Sequence, residues 1–186
     1  MKTTKLSFII SMAIGLFFAA TVSAQTQTFS DENVEYTFEL PAATWKMTVK
    51  PLPMSPNVEY VYGDKSDGHL EVRKITIKAN EMLSDTIDRE EARLQFLQGY
   101  VTGRAESFAG KLKGTVFNYE FISRGHNMSG RIYFLKSNET TVYALRFTGE
   151  RDKLRTIRNQ TDSIGRTFDI KQEFGPVKQE QKKNRR

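Results

Sequence analysis

The stretch GTVFNYEFISRGHNMSGRIYFLKSNETTVYALRFTG, from Gly114 to Gly149, decides the fold. Its β-branched and aromatic residues fall into three runs separated by two polar turns, Ser123 to Asn127 and Ser137 to Glu139, the pattern of three antiparallel strands. Alternation places Phe117, Tyr119 and Phe121 on one face of the first strand. By the same period Tyr143, Leu145 and Phe147 share a face of the third. A meander with apolar residues on its faces is marginal by itself, so other segments must cover it.

Working back toward the N-terminus, Val34, Tyr36, Phe38 and Leu40 alternate with polar residues and predict a strand that ends at Pro41. Trp45, Met47 and Val49 repeat the alternation, with Trp45, the sole tryptophan, read as a packing residue. Pro51, Pro53 and Pro56 forbid regular pairing and mark a loop. Val58, Tyr60 and Tyr62 form a strand up to Gly63, and Asp67-Gly68 is a favoured hairpin turn. Leu70, Val72, Ile75 and Ile77 carry the return strand, their change of parity predicting a bulge near Arg73 and Lys74. Ser84 or Asp85 is placed to cap a helix from about Thr86 to Ala109, with Ile87, Leu94, Leu97, Val101, Ala105 and Phe108 as its inward stripe. Gly99 and Gly103 thin that helix and allow close approach to a strand.

On the C-terminal side, Glu150 opens a second helix whose Leu154, Ile157, Thr161, Ile164 and Phe168 make one inward seam. Arg151, Arg155, Arg158 and Arg166 occupy its remaining surface and form a candidate contact for an anion or an acidic partner, reinforced by the basic end KKNRR. Residues 171–186 have almost no apolar content and are expected to be a disordered basic tail.

The chain of 186 residues is 38% hydrophobic and 27% charged, enough for one domain with a real core. Lys2 and Lys5, the apolar run from Leu6 to Ala20 and Val22-Ser23-Ala24 compose a secretory signal peptide over residues 1–24. The run is too short for a spanning helix. Cleavage near Ala24 lowers the formal charge from +6 to +4 and leaves a mature chain expected to be a single domain over residues 25–170, with no transmembrane segment. The absence of cysteine excludes a disulfide framework and a thiolate site, and fits an exported bacterial protein in the periplasm or beyond. Sequons at Asn127, Asn138 and Asn159 matter only in a eukaryotic secretory route.

No GxSxG elbow, phosphate loop or GxGxxG occurs, and the two histidines, His69 and His126, each stand beside a turn glycine. The best local polar trio is Asp64, Asp67 and His69, whose spacing does not match a calcium loop. Carboxylates near Asp85, Asp88, Glu90 and Glu91 suit a helix start. No residue set calls for a cofactor or metal, and the reading is of a chain without catalytic machinery. Nucleic acid is a poor fit, because the aromatics that would stack on bases are committed to strand alternation.

The opening Phe29, Asp31, Tyr36, Phe38, Leu40, Pro41 and Trp45, the meander ending VYALRFTG and the closing Ile164-Gly165-Arg166-Thr167-Phe168 together resemble the PsbP-like family, named for the extrinsic P subunit of photosystem II and including exported bacterial proteins. The resemblance implies an α+β fold, an antiparallel sheet of about six to seven strands sandwiched by helices, used as a docking or accessory module. A bacterial signal in place of a transit sequence sets this chain apart from the photosynthetic members, and no family functional residue carries over. The expectation is therefore an exported, non-enzymatic binding or accessory module at the cell envelope, facing an envelope protein or an anionic membrane surface. The alternative is a carrier of a small apolar or lipid-like ligand held between the long helix and the sheet.

Overall fold

A computed structural model describes residues 26–171, so the expected signal peptide lies outside the described residues, as does all of the expected tail except Lys171. The meander forms as β7 (Lys113–Ser123), β8 (His126–Asn138) and β9 (Thr141–Glu150), antiparallel and in continuous register from Lys113↔Lys136 to Ser123↔His126 between the first two. The first turn is tight because Arg124 and Gly125 both take left-handed backbone angles, φ 52° and 80°, the requirement of a two-residue hairpin loop.

Four more strands extend it. β3 (Trp45–Val49), β4 (Val58–Tyr62) and β5 (Asp64–Thr76) join on the β9 side and β6 (Val101–Ala109) on the β7 side, giving the seven-stranded order β3-β4-β5-β9-β8-β7-β6. A second sheet of three strands is ordered β1-β2-β10, from β1 (Gln27–Ser30), β2 (Tyr36–Leu40) and β10 (Asp169–Ile170). Lys171 closes this small sheet, its ammonium donating to the carbonyls of Asp31 and Val34.

Both faces of the large sheet are buried, over different partners. On one face Tyr133, Leu135, Tyr143, Leu145 and Phe147 pack with Phe29, Tyr36, Phe38 and Leu40 of the small sheet, and with the helices α2 (Arg151–Thr156) and α3 (Arg158–Thr167). On the other, Phe117, Tyr119, Ile132, Phe134, Val142 and Ala144 pack under α1 (Leu83–Leu94) through Ile87 and Leu94. The architecture is an α+β antiparallel sheet between helical layers. No helix among the described residues is long and apolar enough to cross a membrane.

Local readings change in five places. The expected helix from Thr86 to Ala109 is a helix and then a strand: α1 stops at Leu94, Gly99 turns the chain at φ 62°, and Val101 to Ala109 pair with β7. Left-handed Gly99 redirects the chain a few residues after the helix has ended, and the open edge of β7 offers the following residues a ladder. Gly103 therefore belongs to a strand, at a register shift between Thr102 and Ala105, and stands against the Asn118 carbonyl. A long helix thinned by two glycines does not form, so the expected apolar-ligand site loses the wall under which it was placed.

No bulge occurs at Arg73 and Lys74, where β5 and β9 pair without interruption from His69↔Thr148 to Thr76↔Thr141. Parity changes because Leu70 and Val72 belong to the core of the small sheet while Ile75 and Ile77 belong to that of α1. The β4–β5 reversal is made at Gly63, φ 66°, rather than at Asp67-Gly68. Neither Ser84 nor Asp85 caps α1, which begins after Met82 without a side-chain cap. The last helix breaks at Ile157 into α2 and α3, yet Leu154, Ile157, Thr161, Ile164 and Phe168 are all buried along the expected seam.

Candidate functional site

Because that seam turns inward, the helical period forces Arg151, Arg155, Arg158 and Arg166 outward, and all four are exposed. The first three do not lie on an open convex surface. They form one wall of a cleft of about 540 Å³, with Val101, Thr102 and Gly103 of β6 opposite. Asn118 and Glu120 of β7 and Ser129, Gly130 and Arg131 of β8 make its floor. Leu154, Val101 and Tyr119 supply its apolar lining.

Arg131 is buried, 8% exposed, in the middle of a hydrophobic strand, and a buried guanidinium must be paired and hydrogen-bonded. Its Nε donates to the Tyr133 hydroxyl at 2.6 Å, Nη1 to Asn118 Oδ1 at 2.9 Å and Nη2 to Asp162 Oδ1 at 2.7 Å. Tyr133 in turn donates to the same Asp162 oxygen at 2.5 Å and lies 3.0 Å from Thr161 Oγ1. Burial works against the Arg131 charge, but contact with Tyr133 and Asp162 outweighs it and raises the pKa. Burial first, then the bond to Asp162, raises that of Tyr133, so the phenol stays neutral and Asp162 is the true counter-charge. Three of the five guanidinium N–H groups are used, leaving one on each terminal nitrogen.

The rim arginines differ in how well they are neutralised. Arg151 reaches Glu120 at 3.5 Å and Arg155 reaches Asp152 at 3.2 Å, both pairs largely exposed and worth little. Arg158 makes no side-chain hydrogen bond or ion pair among the described residues. Arg166 is not in the cleft; it sits farther along α3, where its carbonyl accepts the Lys111 N–H at 3.0 Å.

Asp64, Asp67 and His69 are not brought together. Asp64 accepts from the Ser66 and Asp67 amides and the Ser66 hydroxyl, and these bonds, the hydroxyl's largest, lower its pKa. Asp67 pairs with Lys153 at 2.6 Å, and His69 Nε2 lies 2.8 Å from Glu59. Among the described residues no group of three or more His, Cys, Asp or Glu is placed to hold a metal ion.

A second cleft of similar size lies between α1 and β5, lined by Arg73, Arg89 and Arg93 among others. Its arginines are already answered, Arg73 and Arg93 by the buried Glu90 and Arg89 by Glu81. The α2–α3 cleft leaves Arg158 without a counter-charge among the described residues, and the α1 cleft leaves Lys78 so. Sequence reasoning named the rim of the α2–α3 cleft but missed its floor: a lone arginine opening RIYFL was the available signal, while its counter-charge lies 31 residues away on another element.

No protein-family model matches the chain, and no curated protein matches it in sequence. Solved structures do match. The solution structure of cyanobacterial PsbP (CyanoP) from Synechocystis aligns with TM-score 0.54 at 16% identity, over 81% of this chain and 95% of that one. The Ran-binding protein Mog1p of Saccharomyces cerevisiae aligns with TM-score 0.57 at 8% identity, over 80% and 96%. A protein of Bacteroides thetaiotaomicron aligns with TM-score 0.55 at 11% identity over 80% of this chain, and half, 50%, of its own length.

Proposed function

We propose that this chain, which has the PsbP-like fold, is an exported, non-catalytic binding or accessory module that engages an acidic protein at the cell envelope through the α2–α3 cleft. The observation that carries the reading is the gathering of Arg151, Arg155, Arg158 and Arg131 around one cleft in which Arg158 has no counter-charge among the described residues. Concentrated charge of one sign steers and orients a partner of the other. Concavity favours a protein over a flat lipid surface. One protein of the same fold, Mog1p, is by name a Ran-binding protein, which supports the fold as a carrier of docking surfaces. Export rests on the signal-like residues 1–24 and agrees with the lack of cysteine.

The test is capture from envelope extract with the wild-type chain and with an Arg155→Glu, Arg158→Glu double variant, beside sedimentation with vesicles rich in anionic lipid. Recovery of an acidic protein by the wild type, reduced at least tenfold in the variant, is the expected result. Equal recovery by both, or salt-sensitive sedimentation with vesicles in place of protein capture, overturns the reading.

A further inference from the structure

Strand β6 is the last of the seven, and among the described residues nothing pairs with its outer edge. Every residue from Val101 to Ser107 is exposed, and Val101, at 58%, is a large apolar side chain in water. Such an edge is a template for another strand, and folds usually blunt it. Here the blunting is the register shift between Thr102 and Ala105 and the exposed charges of Arg104 and Glu106. Ala105 to Ala109 pair regularly with Phe117 to Lys113, so their outer side is regular as well.

The basic face of α2–α3 comes near this edge at two places. Arg155 and Arg158 share the cleft with Val101, Thr102 and Gly103 at its start. Beyond its end, the Lys111 amide donates to the Arg166 carbonyl, and a Cβ on Gly110 would stand 2.7 Å from the Arg166 Cα. The spacing matches what a strand presents: eight helical residues from Arg158 to Arg166 rise about 12 Å, and four strand residues, two repeats on one face, cover about 13 Å.

Resting on the cleft reading above, we infer that the partner supplies an acidic, extended segment that adds to the open edge of β6 and sets its alternate carboxylates against Arg158 and Arg166. Main-chain hydrogen bonds to Ala105–Ala109 give the segment its hold, and the arginines select its charge. Glu106, which shares its face with Val116, disfavours an acid directly opposite and so restricts the register. A second copy of this chain is the poorer occupant, because it would bring a second arginine stripe to the same edge.

The experiment uses the full chain with an eight-residue peptide of alternating glutamate and valine, and a lysine–valine peptide as control, read by fluorescence anisotropy and residue-resolved amide exchange. Binding of the glutamate peptide alone is expected, with slowed exchange at alternate amides of Ala105–Ala109. Affinity is expected to fall at least tenfold in Arg158→Glu and severalfold in Arg166→Glu; both side chains are exposed, so the variants keep the fold. Glutamate-peptide binding that is lost in Arg158→Glu, untouched by Arg166→Glu and without protection in β6 overturns strand addition while leaving the cleft reading intact. No binding of the acidic peptide overturns both. Protection of the outward-facing β6 amides already present without peptide, whether or not it rises with protein concentration, shows the edge occupied by the chain itself and overturns the proposal.

Discussion

Arg131 on β8 and Asp162 on α3 are joined at 2.7 Å, and this pair crosses the whole interface between the sheet and its closing helix. Removing the carboxylate leaves a guanidinium and a phenol facing an empty position. Breaking a buried pair costs about 3–5 kcal/mol, and because Asp162 keeps some water the expected loss for Asp162→Ala is about 2–3 kcal/mol. Asp162→Asn, which keeps an acceptor, is expected to lose less. Urea unfolding curves of the three proteins measure the difference.

Gln160 holds the only tryptophan. Trp45 Nε1 donates to Gln160 Oε1 at 2.9 Å, while the indole packs on Tyr62 and Phe147. Gln160→Ala strands a buried N–H, at a cost of about 1–3 kcal/mol. Tryptophan emission is expected to shift before global unfolding, which a denaturant titration followed by both fluorescence and far-UV circular dichroism would reveal.

A methyl group at Gly114 would stand 1.8 Å from the Phe134 carbonyl oxygen, inside the β7–β8 ladder. Backbone cannot give way as a flexible side chain can. Gly114→Ala is therefore expected to cost about 3 kcal/mol, the upper range for overpacking. A fall in thermal midpoint checks it, and a variant melting with the wild type would mean that β7 and β8 lie farther apart.

Alkali should unfold the protein steeply. Burial pushes the Tyr60 phenol up to about 12, and burial likewise raises Tyr36, Tyr133 and Tyr143. Below pH of about 10, the ordinary phenol value, folded and unfolded chains both hold these protons and stability is flat. Between about 10 and 12 the unfolded chain releases protons that the folded one keeps, and stability declines by up to about 1.4 kcal/mol per pH unit for each such group. In acid, Glu35 acts the other way: burial opposes its charge, but bonds from Lys74 and Tyr143 outweigh that and lower its pKa. Its contribution is present above the ordinary carboxylate range and is lost as pH falls below it. Unfolding free energies across both limbs test the two directions.

Period-two alternation made the meander legible, down to the faces taken by Phe117 and Tyr119 on one side and Tyr143 and Phe147 on the other. The seam from Leu154 to Phe168 was legible because tertiary packing and helical period agree there. Val101, Ala105 and Phe108 misled, since a strand with a register shift puts apolar residues at spacings that also fit a helix; only Gly99 marked the boundary. The Arg151, Arg155 and Arg158 rim was visible as a stripe, but not that it borders a cleft. Its opposite wall is β6, which the sequence pattern had assigned to a helix.

Strands β1 and β10 flank the same strand, β2, in parallel with one another. Gln27 pairs at Leu40 and Ile170 at Tyr36, so the two ends of the described chain are separated by about four residues along β2 and two strand widths across it, roughly 16 Å. A linker of about six residues spans that gap. Sewing the ends together and reopening the chain at the exposed Arg124-Gly125 turn would produce a circularly permuted protein with every ladder intact, in which the meander rather than the small sheet carries the free termini.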